Sequence, residues 1–174
     1  MLKKYPSAKS TTFYFNESII TIDTGLIRRL KDSSRKDKLG RARVCLHSGP
    51  DAAVQEMIIA MDRKTYVRPH RHHTKTESTH IIEGELLIIL FDDTGKPVRR
   101  ISLRAGKTGQ PFACRIPQMT WHTQIPQTQT AVIHEIISGP FSSGSSDFAT
   151  WAPEEGDTEA SDRYIRKINR IARR

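Results

Sequence analysis

Cysteine is scarce in this 174-residue sequence, with only Cys45 and Cys114 present. Each sits in an apolar, strand-like run, RVCL and FACRI, where a thiol serves as a small buried side chain. The lysine-bearing start is not followed by an apolar run and a small-residue cleavage site, so no secretory signal is read there. A reducing cytoplasm is the expected compartment, and a disulfide is not expected. No stretch approaches the ~18 consecutive apolar residues of a membrane span. Internal repeats are missing, and so is a glycine-rich phosphate loop: GPDAAVQ and SSGSS lack the strand–loop–helix setting. No serine or cysteine stands in a histidine pattern that would make a nucleophile–base pair.

Acidic residues are also in short supply, 19 against 28 lysines and arginines, for a net charge of +9. The excess is local. It falls in residues 28–43 and in the tail SDRYIRKINRIARR, and the remainder is slightly acidic. Basic ends of this kind suit anionic partners. No aromatic-interleaved strand or recognition helix accompanies them, so nucleic acid is not expected as a partner. Solvated ends or a subunit contact is the plainer reading.

What the sequence does have is a middle full of short apolar runs. Residues 1–22 read as an arm. Asp23 or Thr24 caps a short amphipathic helix over about 24–35, with Leu26, Ile27 and Leu30 at helical spacing. From Ala42 the period changes. ARVCLH, VQEMIIAM, TYVRPH, STHIIEG, ELLIILFD, PVRRISL, QPFACRI and TAVIHEIIS are β-branched and aromatic runs between turn signals such as DDTG. About eight strands without intervening helices predict an all-β antiparallel jelly roll or barrel. A domain over 23–157 follows, with Phe141, Phe148 and Trp151 able to pin its exit. The basic tail, 158–174, reads as a helix with Ile165, Ile168 and Ile171 on one side.

The segment TYVRPHRHHTKTESTHIIEGEL concentrates the chemistry. In a strand, alternate side chains share a face, so His70 and His72 point together, with Arg68 and Tyr66 in the same phase. Glu77 opens the following strand and can return to that face. Far along the chain, RIPQMTWHTQ brings His122 to the start of another strand. Three imidazoles and one carboxylate leave two positions open on a six-coordinate divalent ion, which suits Fe, Mn, Ni or Co, or Zn at lower coordination. The competing reading is a polar mouth that binds no metal. His73 and His80 fall out of phase, and His47 reads as a turn residue. His134 and Glu135 are adjacent, so only one faces inward; Glu135, Arg68 and Tyr66 are the candidates for catalytic or substrate contacts. Trp121 either stacks on a ligand or packs under a loop.

These spacings resemble the cupin motifs. His70-x-His72, four residues, Glu77, six residues and Gly84 follow the first motif, with Lys64 in place of its opening glycine. Pro117 and His122 follow the second, with Pro111, Met119 and Pro126 replacing two glycines and an asparagine. VRPHRH, LFDDTG, IPQMTWH, HEIISGPF and FATWAPEEGD, in this order over about residues 20–157, are similar to the WbuC-type cupin-fold metalloproteins. That resemblance implies a cupin jelly-roll β-barrel with a short N-terminal helix and a setting in surface-polysaccharide metabolism. It also implies a homodimer. A metal-dependent enzyme on a small polar substrate, such as a sugar or nucleotide-sugar, is the leading expectation. Isomerase or epimerase chemistry and Fe(II) dioxygenase chemistry are both open. A non-catalytic binding or sensor module is the alternative.

Overall fold

The computed structural model describes residues 2–5, 9–142 and 144–171. Within them, twelve strands and two helices follow one another as β1 (Leu2–Tyr5), β2 (Thr11–Phe15), α1 (Thr24–Lys36), β3 (Arg41–Cys45), β4 (Val54–Asp62), β5 (His70–His72), β6 (Glu77–Glu83), β7 (Glu85–Phe91), β8 (Pro97–Arg104), β9 (Ala113–Ile116), β10 (Trp121–Pro126), β11 (Thr130–Ser138), β12 (Ser146–Phe148) and α2 (Thr158–Ile171). The strands form two facing sheets. One has the order β1-β2-β3-β4-β11-β6-β9, the other β12-β5-β10-β7-β8. The sheets do not close into a barrel; the jelly roll is a sandwich.

Alternation decides what each face does. Inward side chains such as Met57, Ile59, Met61, Ile81, Leu86, Ile88, Leu103, Ile116 and Ile133 form the central core. The outward residues of β3, β4 and β11, including Val44, Ile58, Ala60 and Val132, are covered by Leu26, Ile27 and Leu30 of α1. The Asp23 carboxylate accepts the Leu26 N–H at 2.7 Å, which fixes the start of that helix. On the other outer face, Leu87, Ile89, Phe91 and Ile125 are covered by Tyr164, Ile165 and Ile168 of α2, together with Trp121 and Trp151. The tail is therefore a packed element. The Ile171 side chain lies outside the described residues.

The structure departs from the sequence expectation in two further places. The N-terminal arm contains two strands: β1 and β2 pair antiparallel, and β2 runs parallel to β3. TTFYF is a β-branched and aromatic run, so its strand propensity was present. Conversely, TYVRPH contributes only its last residue to a strand. Pro69 cannot donate to a ladder, and β5 begins just after it. In the turn at Gly84, φ is +81°, and a Cβ there would lie 2.4 Å from Thr128 Oγ1 and 2.6 Å from the Thr130 carbonyl oxygen. Only glycine fits that position.

Candidate metal centre

Four side chains converge at one end of the sandwich. β5 carries His70 and His72, β6 opens with Glu77, and β10 places His122 directly opposite His70. One ligand atom from each lies within 4.8 Å of all the others. Glu77 Oε2 is 3.3 Å from both His72 Nε2 and His122 Nε2. His122 is fully buried and Glu77 nearly so.

The far side of each imidazole is held. His70 Nδ1 donates to the Arg68 carbonyl at 3.0 Å, and His122 Nδ1 donates to the Thr120 carbonyl at 2.9 Å. His72 Nδ1 lies 2.7 Å from the Ser146 hydroxyl of β12. Bonds of this kind fix the tautomer and leave the Nε2 lone pairs free to face one another. The other carboxylate oxygen, Glu77 Oε1, accepts from Gln124 Nε2 at 2.6 Å and from the Thr79 hydroxyl at 3.1 Å. The donor set, with three imidazole nitrogens and one anchored carboxylate, fits a divalent metal ion whose identity it does not fix.

The electrostatics of the metal-free site differ from residue to residue. Burial, reinforced by His122, pushes His70 down to about 3, so its imidazole is neutral. Burial alone would raise the Glu77 carboxyl, but His122, His72 and His70 outweigh it and hold the group well below the usual range. Burial opposes a charge on His122, and Glu77 overcomes it, so its pKa is raised and an incoming ion would displace that proton. Two residues in, Glu135 of β11 faces the same interior. Its Oε2 is 3.5 Å from Gln124 Nε2, and burial followed by repulsion from Glu77 pushes it up to about 7, against the pull of Arg43 and His122.

The other expected residues are placed elsewhere. Tyr66 donates its hydroxyl to the Pro153 carbonyl at 2.9 Å and packs edge-on against Tyr164. Arg68 donates to the Ala149 carbonyl at 3.1 and 2.9 Å and lies 3.7 Å from Glu154. Both tie down the segment leading into α2. The alternation that put them beside the ligands needs an extended strand, and β5 is only three residues long. His73 pairs with Asp147 at 2.8 Å; His80 and His134 meet on the outer face, where His134 also reaches Glu56 at 2.8 Å. Trp121 packs against Trp151 and under the Arg71 guanidinium. Ser146 and Gln124 were not anticipated. Gln124 shares the inward phase of His122 on β10, a signal that the sequence carries. Ser146 gives no such signal, because β12 reaches β5 only in three dimensions.

One more residue connects site and motif. Met119 has φ of +59°, and its N–H donates to the His72 carbonyl at 2.7 Å. It occupies the position of the second motif's glycine and keeps a glycine-like backbone.

Two solved structures share this architecture. Oxalate oxidase in complex with the substrate analogue glycolate is 20% identical, with a TM-score of 0.50 over 76% of this chain and 67% of that one. The capsular polysaccharide assembling protein CapF from Staphylococcus aureus is 16% identical, with a TM-score of 0.50 over 61% of this chain and 29% of its own. This is the cupin fold. A cupin assignment accounts for the paired sheets and for a site at the open end of the sandwich. The family model described as Domain of unknown function (DUF6016) matches residues 22–103, which include His70, His72 and Glu77 but not His122. No curated protein matches. Among the described residues, no helix is long and apolar enough to cross a membrane.

Proposed function

We propose that this cupin is a metal-dependent enzyme acting on a small polar substrate, with His70, His72, Glu77 and His122 holding the ion and Glu135 serving as acid–base. The observation that carries the catalytic reading is Glu135. It faces the interior and is linked to the ligand Glu77 through Gln124, and in the metal-free protein burial and Glu77 raise its carboxyl to about 7. A group with a pKa near the working pH can take and return a proton in one cycle.

A bound divalent ion supplies a Lewis acid that polarises a substrate oxygen. This chain's residues do the rest. Gln124 donates to both carboxylates and so orients Glu135 relative to the ligand set. Thr120, Arg68 and Ser146 hold the imidazoles in place. Isomerisation or epimerisation needs proton removal beside a carbonyl, and Glu135 has the position and acidity for it. A sugar or nucleotide-sugar of surface-polysaccharide metabolism is the substrate class suggested by the WbuC-type resemblance, and the name of the CapF structure points to the same area. The working unit is proposed to be a homodimer in the cytoplasm.

The test starts with protein purified without metal-affinity resin. Elemental analysis is expected to give close to one metal per chain. A screen of nucleotide-sugars and small keto acids, under air and under argon, is expected to show turnover that falls by about 10²–10⁴-fold in Glu135→Gln with metal content unchanged. Turnover only in air would move the reaction to dioxygenase chemistry. Absence of turnover across the screen would overturn the enzyme reading in favour of a binding module.

A further inference from the structure

Among the described residues, Arg43 is an inward-facing guanidinium without an ion pair; Glu135 and Glu155 attract it only from beyond pairing distance. It shares the inward phase of β3 with Arg41 and Cys45. Arg41 has a close counter-charge: its guanidinium sits 2.9 Å from both oxygens of Glu155, although its Nε, like that of Arg43, is without a hydrogen-bond partner among the described residues. Arg43 has no carboxylate so near. Its best contacts are Met57 Sδ at 3.8 Å and the Ser10 hydroxyl at 3.4 Å, and its Nε is buried without a hydrogen-bond partner among the described residues. No carboxylate of those residues lies within ion-pairing distance of it.

A guanidinium held largely out of water with one donor, Nε, unmet gains from an added acceptor. Its surroundings show where that acceptor would sit. The contact with Met57 turns Arg43 toward the Glu135 row of the sheet, since Cys45, Met57, Glu135 and Thr79 lie in register across β3, β4, β11 and β6. Although they face inward, Arg43, Glu135 and Ile137 all keep partial exposure, so this end of the sandwich is reached by solvent. Between β4, where the guanidinium rests, and β6, which carries Glu77, lie two strand spacings, ~10 Å. That is the span of a small molecule with a polar group at each end.

We propose that Arg43 is the seat for an oxyanion, a carboxylate or phosphate, on the substrate whose other end reaches the metal centre. This specifies the substrate class of the site described above and rests on that reading. Arginine suits the role because its fork donates to two oxygens of one planar or tetrahedral anion. The substrate is then a small acid or phosphate ester, and neutral analogues are discriminated against at Arg43 rather than at the metal.

Calorimetric titration of the intact chain tests this, with metal content measured on each sample. The probes are malate against malamide, and glycerol 3-phosphate against glycerol. At least one anion is expected to bind ten-fold or more tightly than its neutral counterpart; the two pairs separate carboxylate from phosphate. Arg43→Gln should erase that preference with metal content unchanged. Arg43→Lys, which keeps the charge and loses the fork, should retain part of it. The preference should persist, weakened, after the metal is chelated, so a failure of the metal assignment and a failure of the anion seat are distinguishable. Should Arg43→Gln not fold, the extra thermal stabilisation of wild type by the anion over its neutral counterpart, and its reduction in Arg43→Lys, gives the same answer. Equal binding of charged and neutral probes by wild type, or an undiminished preference in a folded Arg43 variant, would overturn the proposal.

Discussion

At the scale of single residues, the site shows how a local rule can be kept while its usual residue is lost. The second cupin motif has glycine where this chain has Met119, yet the backbone there stays in the left-handed region at φ +59°. A non-glycine residue in that region costs roughly 1–2 kcal/mol, partly offset because glycine loses more freedom on folding. Met119→Gly is therefore expected to stabilise the protein by about 0.5–1 kcal/mol, read as an upward shift of the thermal midpoint. Its half-exposed side chain adds little packing to set against the gain. No shift, or a fall, would show that the thioether contributes more at the mouth than its exposure suggests.

At the scale of elements, β12 deserves more weight than its three residues suggest. It pairs with β5 and brings Ser146 opposite His72, and the Asp147 carboxylate takes the Arg71 guanidinium at 2.9 Å and His73 at 2.8 Å. The strand thus steadies the short segment that bears two of the four candidate ligands. A partner that orients a ligating imidazole commonly contributes 10–100-fold to metal affinity. Ser146→Ala is expected to weaken metal binding by about that factor, measured by competition with a chromophoric chelator, while the fold survives. Unchanged affinity would mean that the β12 backbone ladder alone suffices. At the opposite face, α2 does for β7 and β10 what α1 does for β3 and β4: each covers an outward apolar stripe that a two-sheet sandwich cannot bury by itself.

For the whole molecule, the interior charges set a dependence on pH. Glu135 is held at about 7, above the ordinary carboxyl value of ~4.3, because burial and Glu77 disfavour its charge. A carboxyl raised in this way contributes stability that is fully present below the unfolded value and is lost as pH rises through the folded one. In the metal-free protein, stability attributable to Glu135 is therefore expected to decline between about pH 4.5 and pH 7, and Glu135→Gln should flatten that decline in chemical denaturation curves. A divalent ion at the neighbouring site favours the carboxylate, so loading the metal should move the decline to lower pH. A wild-type profile that matches Glu135→Gln across this range would place Glu135 in ordinary solvent.

Much of this was legible without coordinates. Alternation and spacing alone set His70, His72 and Glu77 on one face, separated His73 and His80 from them, and matched a β-rich chain to a jelly roll, because side-chain direction in a strand follows from covalent geometry. The helix at 24–36 was equally plain from its cap and its apolar period. Spacing could nominate His122 but not deliver it, since only the pairing of β10 with β5 brings it to His70. The same limit bears on Tyr66 and Arg68: the alternating phase does not extend back past Pro69, because β5 begins only at His70. Partners from distant strands are invisible in one dimension. Ser146 behind His72, Gln124 between two carboxylates, and Arg43 turned inward with its Nε unmet are products of sheet order and register, and those are settled only when the core packs.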